Sequence, residues 1–158
     1  MNEIKLVCFD FDGVFTDCKF HMLPNGEISK TYNGQDSYAI YMLKERGIKS
    51  GIISSDNSNI YKHIFKKNHF NKLDFMETGI KNKIKILTKW KEYYNIDWKN
   101  IVYMGDDLSD KECLIKCGLS VCPNNAVKEI KEICDIIINK EGGNGAVREI
   151  VEQILLKM

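Results

Sequence analysis

No stretch of this sequence stays apolar long enough to cross a bilayer, and no basic segment followed by an apolar core stands behind Met1. The expectation is a cytoplasmic chain with no membrane partner. Proline occurs only twice, and no low-complexity tract, internal repeat or linker interrupts the chain. Charge of one sign is also missing: the net charge is +1, with lysines scattered among acids. Binding a polyanion needs a concentrated basic face, so a nucleic-acid partner is not expected. The six cysteines (Cys8, Cys18, Cys113, Cys117, Cys122, Cys134) contain no Cys-x-x-Cys pair. Cys113 and Cys117 stand at a helical i, i+4 spacing that suits core packing, so structural zinc is not expected either. With no secretory leader, the thiols should stay reduced.

What is present is the material of an ordinary core. The chain has 158 residues, of which 44% are apolar and 28% charged, enough for one domain spanning 1–158. Strand-like runs recur as IKLVCF, IKSGIIS, KLDFM, NIVYMG, GLSVC and CDIIIN. Helix-length stretches at 35–46, 59–67, 81–94, 110–117 and 126–133 separate them, the first ending at Gly47 as a C-cap. Ala146, Val147, Ile150, Val151, Ile154 and Leu155 form a last apolar stripe at the helical period. Strands with little polar alternation, spaced by helices, predict an α/β fold with a doubly wound, mainly parallel, Rossmann-like sheet. Its active site should lie outside the carboxyl ends of the strands. One segment breaks the rhythm. Pro24-Asn25-Gly26 is a hairpin turn between runs at 19–22 and 28–32, so an insert at about 18–33 should project from the end of the first strand.

Acidic residues crowd two of the predicted strand ends. Asp10, Asp12 and Asp17 follow the first strand, and Asp106, Asp107 and Asp110 follow NIVYM. Helix capping accounts for Asp110, but no cap needs Asp at alternate positions followed by Gly. Four or more carboxylates in one crevice need a cation, and a cage of hard oxygens suits Mg²⁺.

The run Asp10-x-Asp12-Gly-Val-x-Thr-Asp resembles the first motif of the haloacid dehalogenase superfamily of phosphohydrolases. Ser54 in GIISSD, Lys83 in GIKNK and the stretch GDDLSD resemble the second, third and fourth motifs, in order and on the expected elements. The resemblance implies a single phosphohydrolase domain. Asp10 would attack phosphorus to give an aspartyl-phosphate, and Asp12 would protonate the leaving alcohol and then activate water. The pKa of Asp12 should be raised for this by neighbouring carboxylates. The same resemblance implies Mg²⁺ on the Asp10 and Asp106 carboxylates and the Asp12 carbonyl. Ser54 and Lys83 would bind the phosphoryl group, and Asp107 and Asp110 would orient metal water or Lys83.

Over most of the chain, from about Ile4 to about Leu155, the sequence is similar to the cap-less 3-deoxy-manno-octulosonate 8-phosphate phosphatase group. The hairpin, YNGQDSYAI, YMGDDLSDKECLIKCGLSVCPNNA and GGNGAVREI carry the likeness. That group also includes phosphatases of nonulosonic, sialic-acid-like 9-phosphates and domains associated with acylneuraminate cytidylyltransferases. It implies no cap domain, a small-molecule sugar-acid phosphate as substrate, and a homotetramer in which hairpins meet centrally. Ser55, Asp56, Gln35, Asp36 and Arg148 become candidate substrate residues.

Two departures bear on the substrate. Ser54-Ser55-Asp56 stands where the octulosonate enzymes carry Thr-Gly-Arg, and Gln35-Asp36-Ser37 where they carry Arg-Asp-Gly. An acid at 56 cannot fork onto a carboxylate and favours a nine-carbon acid. Lys67 reads first as a solvated helix lysine and only second as the charge that compensates this acid. Arg148 would bind the sugar carboxylate or pair with Glu149 or Glu152. The rival readings are a receiver-like signalling module and a catalytically retired interaction module linked to a sugar-acid cytidylyltransferase. Receivers place their adjacent acidic pair first, whereas here Asp-x-Asp comes first and Asp106-Asp107 late. The intact acidic set argues against retirement.

Overall fold

A computed structural model describes residues 3–156. Six strands form one parallel sheet: β1 (Leu6–Phe9), β4 (Lys49–Ile53), β5 (Phe75–Glu77), β6 (Ile101–Met104), β7 (Leu119–Cys122) and β8 (Ile136–Ile137). Their order across the sheet is β5-β4-β1-β6-β7-β8. β1 pairs with β4 on one side (Phe9 opposite Ile52) and β6 on the other (Phe9 opposite Met104). The chain therefore winds outward from β1 in one direction and returns to wind in the other. The ends of β1, β4 and β6 flank the switch point where such sheets open a crevice.

Both faces of the sheet are buried, which is why its strands read as unbroken apolar runs. Val7, Phe9, Ile52, Val102, Met104 and Val121 face α1 (Gly34–Glu45) and α6 (Ala146–Leu156). Leu6, Cys8, Ile53, Ile101, Tyr103 and Cys122 face α3 (Lys83–Tyr93), α4 (Lys111–Lys116) and α5 (Lys128–Lys131). The period-2 alternation of each strand thus feeds two separate cores. No helix among the described residues is long and apolar enough to cross a membrane.

Between β1 and β4 lie only α1 and a two-stranded antiparallel hairpin, β2 (His21–Met22) with β3 (Ile28–Ser29). No cap domain stands among the described residues. The hairpin strands are shorter than the expected 19–22 and 28–32, because Lys30 leaves the ladder and turns its side chain inward. The expected helix at 59–67 is also cut. α2 runs Ile60–Ile64, and a 3₁₀ segment follows at Asn68–Lys72 with Asn68 at φ +50°. Phe70 explains the break. It is fully buried against Phe11, Phe15 and Tyr32, and a continued helix would not deliver it there.

Candidate active site

Three strand ends supply the crevice. Asp10 and Asp12 follow β1, Ser54-Ser55-Asp56 follow β4, and Asp106 and Asp107 follow β6; all seven line a cavity of about 110 Å³. The structure therefore brings together most of the residues picked from the sequence, including members of both acidic clusters, while Asp17 stays exposed outside the crevice.

Lys83, the first residue of α3, forms the centre of one half. Its side chain is 1% exposed and bridges Asp10 Oδ2 and Asp110 Oδ1, each at 2.8 Å. Asp110 is fully occupied. Oδ1 also accepts the Tyr103 hydroxyl at 2.8 Å, and Oδ2 accepts the backbone N–H groups of Asp106 at 3.2 Å and Asp107 at 3.3 Å. Asp110 stands at the N-cap of α4 but makes no side-chain cap bond there and turns inward, while Asp107 accepts Leu108 N–H at 2.7 Å at the start of the preceding 3₁₀ turn. That inward turn lets one carboxylate fix both Lys83 and the loop that carries Asp106.

The charge balance of this half is negative. Carboxylate oxygens of Asp10, Asp106 and Asp110 lie within 4.8 Å of one another, all three residues buried. Burial, then the Asp110 charge, pushes the Asp10 carboxyl well above its ordinary range. Burial, then Asp110 and Asp107, pushes Asp106 up to about 7. Burial alone would pull Lys83 down, but the charges of Asp10 and Asp110 outweigh it and hold the ammonium above its usual value. Asp106 Oδ1 is buried without any hydrogen-bond partner. A hard divalent cation fits these residues: it would occupy the orphaned oxygen and supply the missing positive charge. Gly13 allows the close packing. It sits at φ +82°, and a Cβ there would fall 1.9 Å from Asp106 Oδ2. The glycine after Asp-x-Asp is needed for room as well as for the turn.

The other half is built around a residue that the motifs did not flag. Lys30, just beyond β3, is 2% exposed at its side chain and donates to Asp12 Oδ2 at 2.7 Å and Asp56 Oδ2 at 2.5 Å. The Tyr61 hydroxyl donates to the same Asp12 oxygen at 3.1 Å and meets Ser54 Oγ at 2.9 Å. Burial raises the Tyr61 phenol further, so it stays a donor. The hydrogen-bond partners of Asp12 are Lys30, Tyr61 and Thr16 Oγ1, the last at 3.3 Å. The cation paired with Asp56 is Lys30, and Lys67 is exposed, as a solvated lysine is. Burial works against ionised Asp56, but hydrogen bonds from Lys30 and Ser58 outweigh it and hold the carboxyl below its ordinary range.

Other expected substrate residues lie elsewhere in the chain. Asp36 is fully buried, and its oxygens accept Gly145 N–H at 3.0 Å and Arg148 N–H at 2.8 Å. It caps α6 from a neighbouring helix, and burial raises its carboxyl despite those bonds. Its expected contact with substrate is therefore corrected to a structural one. Gln35 is exposed on the first turn of α1 and lines no part of the crevice. Within one chain, Arg148 pairs with Glu152 at 2.6 Å and its guanidinium lies 5.4 Å from the Tyr38 ring centre. The tail glycines approach backbone: a Cβ on Gly142 would fall 1.9 Å from the Gly13 carbonyl oxygen. Asn125 ties the two loops, donating to Gly13 O at 2.9 Å and accepting from Gly142 N at 2.6 Å.

Sequence reasoning missed Lys30, Tyr61, Tyr103 and Asn125. Lys30 reads as an ordinary strand lysine, and only its place beside the hairpin turn hinted at proximity to the site.

The haloacid dehalogenase-like hydrolase family matches residues 15–150. The 3-deoxy-D-manno-octulosonate 8-phosphate phosphatase of Salmonella typhi is 31% identical over 98% of this chain and 81% of its own. The crystal structure of that phosphatase from Moraxella catarrhalis, in complex with magnesium, phosphate and KDO, superposes with a TM-score of 0.90 at 29% identity. It covers 97% of this chain and 86% of its own. A cobalt-bound Haemophilus influenzae phosphatase of the same activity gives a TM-score of 0.90 at 28% identity, over 98% and 88% of the two chains.

Proposed function

The chain belongs to the haloacid dehalogenase-like hydrolases, and from that premise we propose that it is a magnesium-dependent phosphatase of a 2-keto-3-deoxy sugar acid. One observation carries the reading: two buried carboxylates, Asp10 and Asp110, share the buried Lys83, and a third beside them, Asp106, keeps one oxygen without a partner.

In this reading Asp10 is the nucleophile. Its oxygen bonds to phosphorus as the bond to the sugar oxygen breaks, giving an aspartyl-phosphate that water then hydrolyses. Asp12 gives the departing oxygen a proton and takes one from the water in the second step. Lys30 and Tyr61 both occupy Oδ2 of Asp12, so Oδ1 is the oxygen that exchanges the proton. Ser54 and Lys83 would hold the phosphoryl oxygens, with Lys83 kept ionised by Asp10 and Asp110. Mg²⁺ would be held by the Asp10 and Asp106 carboxylates and the Asp12 carbonyl, and when bound it offsets repulsion between nucleophile and phosphate. Asp107 and Asp110 orient rather than ligate.

The relatives named above act on the eight-carbon acid. Ser55 and Asp56 form the rim facing the sugar, and an acid already paired with Lys30 supports a nine-carbon substrate. A cytoplasmic homotetramer, with Arg148 of one chain near a neighbour's crevice, completes the reading.

The test is phosphate release from octulosonate 8-phosphate and nonulosonate 9-phosphate with Mg²⁺. Activity should vanish on chelation, return with Mg²⁺ and return poorly with Ca²⁺, whose looser coordination misplaces the in-line geometry. Asp10→Asn should abolish release while leaving the fold intact. Normal turnover by that variant would end the proposal.

A further inference from the structure

The Lys30 ammonium lies between two carboxylates that it reaches from outside the four motifs, and its surroundings decide what it can do. Its side chain is 2% exposed. Each of its three N–H donors already has a destination: Asp12 Oδ2 at 2.7 Å, Asp56 Oδ2 at 2.5 Å and the Tyr61 hydroxyl at 3.4 Å. Aromatic rings close the remaining directions, with the Phe20 ring centre at 4.8 Å, Tyr61 at 5.2 Å and Phe11 at 6.0 Å. A lysine with no free donor and no open face is poorly placed to bind a ligand. It is well placed to hold a side chain still. An exposed ion pair would contribute little, but removing one member of a desolvated, hydrogen-bonded set leaves the others without compensation.

We infer that Lys30 is a positioning residue for the acid–base carboxylate: with Tyr61 it pins Asp12 Oδ2 and so aims Oδ1 at the leaving oxygen. The inference rests on the proposed role of Asp12. It accounts for a difference between the two Asp12 oxygens, since Oδ1 has only the long contact from Thr16 Oγ1 at 3.3 Å. It also gives the hairpin a part in the chemistry. Lys30 follows β3 directly, so the placement of the hairpin decides whether the ammonium reaches Asp12.

Leaving-group dependence separates positioning of Asp12 from mere support of the fold. A sugar alcohol leaves badly without a proton, whereas p-nitrophenolate needs none. kcat/KM reports the steps through the first phosphoryl transfer, where that proton is given. Lys30→Met should lower kcat/KM for whichever of octulosonate 8-phosphate and nonulosonate 9-phosphate wild type hydrolyses faster by roughly 30-fold or more, a part of the about 10²–10⁴-fold that general acid catalysis supplies. For p-nitrophenyl phosphate the loss should stay below about threefold, since acid catalysis contributes little there. The double variant Lys30→Met/Asp56→Asn removes the ion pair as a unit, so it guards against simple misfolding of the single variant. It should show the same selective loss. Equal losses on both substrates, or none on either, overturn the inference. So does recovery in the double variant, which would mean that Lys30 serves only to neutralise Asp56. Asp12→Asn is the reference and should share the selectivity. If it loses both substrates equally, or wild type hydrolyses neither, the role given to Asp12 fails, and that of Lys30 with it.

Discussion

Asp106 is the residue at which folding and metal binding oppose each other. Its carboxyl is pushed up to about 7 from an ordinary 3.8, first by burial and then by Asp110 and Asp107. The folded state therefore holds a proton that the unfolded state has released across that interval. Stability contributed by this group is present at low pH and falls as pH rises from about 4 to about 7. A cation that binds only the ionised form reverses the loss. Stabilisation by Mg²⁺ should accordingly be larger at pH 8 than at pH 5. Thermal unfolding with and without Mg²⁺ at the two pH values checks this, and an equal shift at both would count against Asp106 as ligand. Asp110 shows the other use of a buried acid. With Lys83, Tyr103 and two backbone N–H groups on its oxygens, it orders the site and is not free to take part in it. Asp110→Asn keeps the shape but weakens the hold on Lys83, so kcat should fall by roughly 10-fold or more, as loss of a charge-assisted contact implies. Steady-state kinetics would detect it.

Elements were legible where their signal is local. All six sheet strands stand where the apolar runs put them, because a strand buried on both faces has no polar alternation to disguise it. The acidic clusters were legible for the same reason: each follows such a strand, so topology brings Asp10 and Asp106 together. What sequence did not reveal is set by long-range contacts. Nothing near Lys30 announces that its partners are 18 and 26 residues away. Asp36 is a candidate substrate residue only through the family resemblance, yet its partners are backbone N–H groups more than 100 positions along the chain. The glycine-rich tail packs on the loop after β1. Gly145, at φ +93°, has no side chain to cap α6, and Asp36 does so from α1. Asp36→Ala should therefore destabilise the protein by about 2 kcal/mol, the worth of a lost cap with buried donors left open. Because Asp36 lies outside the crevice, KM should change little. A denaturant titration alongside steady-state kinetics tests both halves, and a large rise in KM would return Asp36 to the substrate site.

At the scale of the whole molecule the crevice is shallow. A cavity of about 110 Å³ holds a phosphoryl group with little room for a long polyol. No cap domain stands among the described residues, so we propose that further cover comes from another copy. The hairpin carries the material for such contacts: Met22 is 78% exposed, and Phe20, Leu23 and Ile28 are exposed beside it. A groove of about 390 Å³ between the hairpin and α2, lined in part by Leu23, Ile28, Ile60 and His63, continues that surface. Apolar side chains so grouped on a two-stranded ribbon gain most of their stabilisation by burial against a partner. Met22→Glu with Ile28→Glu should thus convert the proposed tetramer into smaller species without unfolding the sheet, because neither residue belongs to either core. Activity should fall with mass, since a hairpin without its partners places Lys30 less firmly on Asp12. Arg148 offers a finer test. Within one chain it is engaged by Glu152 and Tyr38, so Arg148→Ala should raise KM for the sugar acid only if the assembled neighbour draws it to the crevice. Solution mass measured beside kcat/KM for both variants decides the matter. A fully active monomer would mean that the crevice needs no cover from a second chain.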